Sequence, residues 1–189
     1  NIPEIKLVRA IHDAPSILDR FSHGKERYVA YIRAVLLRNV QKDNVVYHGL
    51  AGHFFLQGIP HALKVRIIAD MEDRVREEMK RENLSDEKAR YLLKKDDDER
   101  RKWSLTLYGI DTWDPGLYDI VIKIKTLTVD DAVKIILDAL KLPSFQTNPE
   151  SQRVLNNLVL AAQIEALLVN EFPRVKVIAR DGAVDIHIV

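Results

Sequence analysis

Two short apolar runs, Ala62-Leu63-Lys64-Val65-Arg66-Ile67-Ile68-Ala69 and Tyr118-Asp119-Ile120-Val121-Ile122-Lys123-Ile124, are each followed closely by a helix-opening signal. That alternation limits the possible folds more than any other feature of the chain. Asp70 is placed to cap a helix over 71–82, and Thr128-Val129-Asp130-Asp131 opens one that runs to about Leu140. Between them Ser85, with Asp86 and Glu87 in the first turn, starts a long helix that Gly109 ends. Upstream, Tyr28, Val29, Ile32, Val35, Leu36 and Val40 recur at helical spacing over 25–42. Asn44-Val45-Val46-Tyr47-His48-Gly49 reads as a short buried strand and turn, and 51–58 as one or two helical turns. Helices alternating with strands predict an α/β fold for residues 1–142, with parallel strands joined by helices.

A polar, proline-containing stretch from Pro143 to Pro149 marks the expected domain boundary. A second module is expected over 150–189: an amphipathic helix over about 151–171, then strands at 175–179 and 184–188 around the hairpin signal Asp181-Gly182. At the other end, 3–12 form a short amphipathic stretch broken by Asp13-Ala14-Pro15-Ser16. The chain starts at Asn1 in what reads as the middle of a helical region, so further residues upstream are expected.

Charge excludes several roles. Lys+Arg (29) almost balances Asp+Glu (28), so electrostatics gives no reason to expect nucleic acid or an anionic membrane as partner. No apolar run reaches the ~18 residues a membrane span needs, and no signal peptide is present, so a cytoplasmic protein is expected. The lack of cysteine rules out disulfides, thiolate zinc sites and cysteine nucleophiles. His48, His53 and His61 lie close in sequence but lack the spacing of a zinc motif, and no metal site is expected.

Three segments agree in order with a known family: NVVYHGLAGHFFLQGIPH, LKVRIIADMEDRV and KKDDDERRKWSLTLYGIDTWDPGLYDIVI. They resemble the cytidylate-kinase-like branch of the P-loop nucleoside monophosphate kinases, closely from Asn44 to Leu140 and loosely over 1–43. The resemblance implies a three-layer P-loop kinase-like fold and phosphorylation of a nucleoside monophosphate by ATP with Mg2+ in the intact protein. The family's first strand and glycine-rich phosphate loop are expected upstream of Asn1. Within the sequence only Gly24-Lys25 suggests that loop, and Glu26 stands where Ser or Thr should bind Mg2+. An incomplete kinase fold is therefore expected, inactive as this chain and holding no cofactor tightly.

The resemblance also supplies site candidates. Lys94, Asp98 and Arg101 match the family's lid pattern of a base, an acid and an arginine that closes over the transferring phosphoryl group; Asp97 with Arg100 fits the acid–arginine part equally well. Asp96–Arg100, Asp97–Arg101 and Asp98–Lys102 are also i, i+4 pairs that would steady an exposed helix by a few tenths of a kcal/mol each. Arg66 and Arg74 flank the turn after the 62–69 strand, and ligands of open α/β sheets bind at the carboxyl ends of strands. Gly49 and Gly52 could present backbone N–H groups to an anion. Leu50 and Ala51, however, stand where cytidylate kinases carry a charged pair that contacts the nucleotide. Asp111, before the 118–124 strand, could orient the lid or a ribose; Trp113 and Tyr108 read as core or lid-packing aromatics.

The helix and VKVIARDGAVDIHIV of the tail resemble the first half of a BON module; the alternative is an ordinary helix-plus-hairpin extension. In the resembled family the first strand would lie between the strands at 45–48 and 62–69. Its absence leaves the upstream segment, direct pairing of those two strands, or a partner chain or the C-terminal hairpin to fill the gap. As a whole chain the protein is expected to form a homodimer through strand exchange or edge pairing. Two functions remain: a nucleotide kinase fragment, or a non-catalytic nucleotide-binding or regulatory protein on a degenerate kinase fold.

Overall fold

A computed structural model describes residues 24–50 and 52–188. The 3–12 stretch and Ala51 lie outside the described residues. The fold is mixed α/β: parallel strands flanked by helices, plus a small antiparallel sheet. The chain forms two compact units. One is Leu63–Gln146; the other joins the described residues up to Ala62 with those from Thr147 onward.

In the Leu63–Gln146 unit, β1 (Val65–Ala69) pairs in parallel with β2 (Ile120–Ile124), Val65 opposite Ile120 and Ala69 opposite Ile124. The crossover between them is a helical hairpin, α3 (Met71–Glu82) and α4 (Asp86–Tyr108). Asn83 turns the corner at a left-handed φ of 52°, and the Ser85 side chain accepts from the Lys88 N–H at the start of α4. α5 (Val129–Leu140) follows, opened by a full capping box in which Thr128 and Asp131 satisfy each other's backbone N–H. Trp103 and Ser104 are fully buried on α4, and Val75 almost so on α3. Ser104 Oγ donates to the Ile110 carbonyl at 2.8 Å, holding the chain that leaves α4 against it.

In the other unit, α1 (Lys25–Val40) packs on α6 (Pro149–Leu168). α6 begins with Pro149 behind an Asn148–Ser151 capping box. Tyr28, Ile32, Leu36 and Leu37 of α1 are buried, as are Leu155, Val159, Ala161 and Ala162 of α6. Each large aliphatic so buried contributes about 1.5–3 kcal/mol. Polar ties border that seam: Arg33 pairs with Glu165, and Gln41 Nε2 donates to Asn156 Oδ1 at 2.9 Å. β3 (Lys176–Arg180) and β4 (Ala183–His187) form the antiparallel sheet, with Val177 and Ala179 packed against Ala161 of α6. The helix expected at 25–42 thus groups with the C-terminal segment, because its apolar stripe is met by α6.

The 44–49 segment is not a strand. Val46 is 95% exposed and Val45 47%, and Asp43 and Asn44 sit at positive φ. A β-branched pair forms a strand only where a neighbouring edge pairs with it, and no described residue does so here. Nor does it pair directly with β1, whose only described neighbour is β2. The C-terminal hairpin does not fill that edge either, since β3 and β4 form a sheet of their own. Residues 51–58 keep one helical turn, α2 (Gly52–Phe55).

Candidate functional site

Strand direction sets which charged groups meet. The carboxyl ends of β1 and β2 lie side by side, with Ala69 opposite Ile124. Just beyond them Asp70 receives Lys123 Nζ at 2.5 Å and Lys125 Nζ at 2.6 Å. The two ammonium groups, Lys123 first, hold the Asp70 carboxyl down at about 2. Asp70 therefore occupies the N-cap position of α3 without a side-chain cap bond; its carboxylate is spent on the lysines. None of the three was a site candidate from sequence. Asp70 read as a cap and Lys123 as one position of a strand, Lys125 carried no reading, and only the parallel register brings them together.

Arg74, in the first turn of α3, sits beside this cluster in sequence. Its Nη1 and Nη2 donate to the two oxygens of Asp97 on α4, at 2.6 and 2.8 Å. The carboxylate raises the guanidinium pKa further. This parallel fork is the geometry that arginine also offers a phosphate.

Arg101, one turn after Asp97, binds Asp111 beyond the end of α4. Nη2 donates to Oδ2 at 2.6 Å and Nε to both oxygens at 3.1 and 3.2 Å. The guanidinium also lies 4.5 Å from the centre of the Trp113 ring. Arg101, then the Trp113 N–H, hold the Asp111 carboxyl below the usual range, with a smaller contribution from Arg66. Trp113 is half exposed, a platform for Arg101 rather than a core residue. The aromatic that α4 buries is Trp103, met edge-on by Tyr108 at 5.3 Å.

The sequence candidates are only partly brought together. Arg66 lies near the amino end of β1, over the Tyr118 ring at 5.7 Å, and so does not share the carboxyl end with Arg74. The turn after β1 is flanked by Arg74 and the Asp70 cluster instead. Asp98 and Arg101 line a shallow open depression of about 350 Å3 with Lys102, Leu105 and Thr106. Lys94 and Arg100 are exposed on α4. Asp97 and Arg101, expected as an i, i+4 pair, each find a partner off the helix. The Gly52 N–H is turned inward to the Leu50 carbonyl at 2.9 Å, and a Cβ on Gly52 would run into the Tyr47 ring. Gly52 is thus required by packing, and α2 is too short to act as an anion-binding helix terminus.

Residues 1–126 match the Cytidylate kinase-like family. The chain belongs to that family. A cytidylate kinase of Methanosarcina acetivorans is 33% identical over 110 residues, which are 56% of this chain and 60% of that protein. The chain therefore spans about three-fifths of the curated relative it matches. A crystal structure of an uncharacterized protein from Eubacterium ventriosum shares the fold, with a TM-score of 0.53 at 20% identity over 60% of this chain and 64% of that one.

Family membership implies ATP and Mg2+ in an intact enzyme. Among the described residues no group of three or more His, Asp or Glu is arranged to hold a metal ion. Gly52, a candidate for an anion contact, is taken up by packing against Tyr47. Among the described residues, no set of side chains or glycines fits Mg-ATP. Arg74 and Arg101 are each engaged by a carboxylate, Asp97 and Asp111 respectively.

Proposed function

We propose that this chain carries the lid and acceptor side of a nucleoside monophosphate kinase, whose intact form transfers a phosphoryl group from Mg-ATP to a cytidylate-like nucleotide. What supports this is family membership over residues 1–126, with Arg74 placed just past the carboxyl end of a parallel strand and already forked to a carboxylate. Phosphoryl transfer is catalysed almost entirely by positioning and by neutralising charge on the phosphoryl oxygens. Arg74 and Arg101 supply both. Each is aimed by a carboxylate that a phosphate dianion can replace, oxygen for oxygen, without new orientation of the guanidinium. Asp97 and Asp111 act as placeholders, and Asp98 with Lys94 on the same face of α4 completes the lid pattern. Arg66 and Arg100 add positive potential around these two forks.

The test is release of ADP from ATP and CMP by the full-length protein, with a thermal-shift titration of each nucleotide. Turnover that collapses in Arg74→Ala and Arg101→Ala supports the kinase. Absence of turnover, with ATP and CMP leaving the melting temperature unchanged, sinks it.

A second reading rests on Leu50 and Ala51, which replace the charged pair that contacts nucleotide in cytidylate kinases. On that reading the protein is a regulator on a degenerate kinase fold, and nucleotide would raise the melting temperature without any ADP appearing.

A further inference from the structure

The two edges of the β3–β4 hairpin are built differently. Asp181 and Gly182 form a two-residue loop with φ of 50° and 85°, the pattern that matches strand twist. Such a loop makes Arg180 and Ala183 a hydrogen-bonded pair, so pairing alternates from there. Ile178 with Asp185 and Lys176 with His187 are hydrogen-bonded pairs. Val177 and Ala179 on β3, and Val184 and Ile186 on β4, point their backbone groups away from the hairpin.

β3 deals with its outer edge. The Val177 N–H is captured by Glu165 Oε1 at 3.0 Å, and charged Lys176 and Arg180 flank it. Among the described residues, β4 has no such cover. No described residue pairs with its outer edge, and Ile186 and Ile188 are 49% and 60% exposed.

We infer that β4 pairs antiparallel with β4 of a second copy, about a two-fold axis at Ile186, giving a continuous four-stranded sheet. The sequence around Ile186 is self-complementary in that register alone. Ile186 meets Ile186 of the second copy, and Val184 meets Ile188, all through the outward backbone groups. Asp185 then stands opposite His187 of the second copy, twice by symmetry. These fall in the non-hydrogen-bonded pairs, where side chains approach most closely, with Cα atoms about 4.5 Å apart. An axis at Asp185 would set like charges against each other, one at His187 would set histidine against histidine, and one at Val184 would leave Asp185 facing alanine. The inference does not rest on the kinase reading.

The chain has no cysteine, so Ile186→Cys supplies a lone thiol. The axis sets position 186 against itself at a Cα separation of about 5.5 Å, within reach of a disulfide. Under mild oxidation the full-length I186C protein is expected to convert to covalent dimer. Val46→Cys, at a position 95% exposed, is expected to stay largely monomeric. In sedimentation the unaltered protein is expected to be a dimer, His187→Asp a monomer through carboxylate facing carboxylate, and Asp185→Lys with His187→Asp a dimer again. Asp185 and His187 are both exposed, so neither change reaches the core. A wild-type monomer at the highest soluble concentration, equal cross-linking at 186 and 46, or a swap that fails to restore the dimer would overturn the inference.

Discussion

Arg74 and Asp97 tie α3 to α4 through two nearly parallel N–H···O bonds, 2.6 and 2.8 Å long. Both side chains are about a quarter to a third exposed, so the pair contributes little to stability, about 0.2–1 kcal/mol. Its value on the proposed function is orientation. Arg74→Ala is expected to lower kcat for phosphoryl transfer by at least about a hundredfold, with Arg74→Lys intermediate because a point charge cannot fork. Asp97→Asn should move KM the other way, down by up to about fivefold, because the phosphate no longer competes with a carboxylate worth up to ~1 kcal/mol. Steady-state kinetics on the three variants checks this; a KM that rises in Asp97→Asn would show that Asp97 does not compete for the same fork.

Asp70 makes stability depend on acid pH. Its folded pKa, about 2, lies below the ~3.9 of an unfolded aspartate. The unfolded chain therefore takes up a proton first as pH falls. The contribution is fully present above about pH 4 and disappears on acidification through pH 2. Urea midpoints of the wild type and Asp70→Asn should differ at pH 6 and converge at the acid end; a gap independent of pH would mean that the Lys123 and Lys125 pairs carry no net stabilisation.

Gly52→Ala is expected to destabilise by about 1–3 kcal/mol, since the added methyl meets the Tyr47 ring and must displace it. Tyr47→Phe should be close to neutral. The Tyr47 hydroxyl is buried without a hydrogen-bond partner among the described residues, and burial has pushed its pKa to about 12. Thermal melts of the two single variants decide it, and a Gly52→Ala protein as stable as wild type would place Tyr47 elsewhere.

Glu165 serves both Arg33 and the Val177 N–H. Glu165→Ala leaves two partly buried donors bare and should cost about 2–5 kcal/mol, beyond what a surface pair would lose. It also uncovers the outer edge of β3, so faster aggregation on storage is expected alongside the lower melting temperature. Light scattering unchanged from wild type would argue against an edge-protecting role.

The helices were legible because their signals are local. Ser85 and Gly109 bound α4, and Thr128 with Asp131 opens α5, all within one turn of sequence. The hairpin at Asp181-Gly182 was equally plain. The 44–49 segment misled because valine run and turn residues look the same with or without a neighbouring edge. The Asp70–Lys123–Lys125 cluster escaped because its members are 53 and 55 residues apart and meet only through strand register. Arg66 and Arg74, eight positions apart in sequence, were read as one site although an intervening strand sends them to opposite ends of the sheet. Spacing along the chain reports on turns and caps, and is silent on which strand becomes whose neighbour.

The division of the chain has a kinetic consequence. Leu63–Gln146 is contiguous in sequence, so all its partners emerge together and it can fold as soon as it has been synthesised. α1 has no such freedom: its buried stripe is matched by α6, which emerges only after that whole segment. Closing so long a loop costs entropy that grows slowly with length, and a preformed insert shortens the effective loop. Assembly of the helix pair should therefore be the late step on the ribosome, with Tyr28, Ile32 and Leu36 waiting in the open for a partner not yet made.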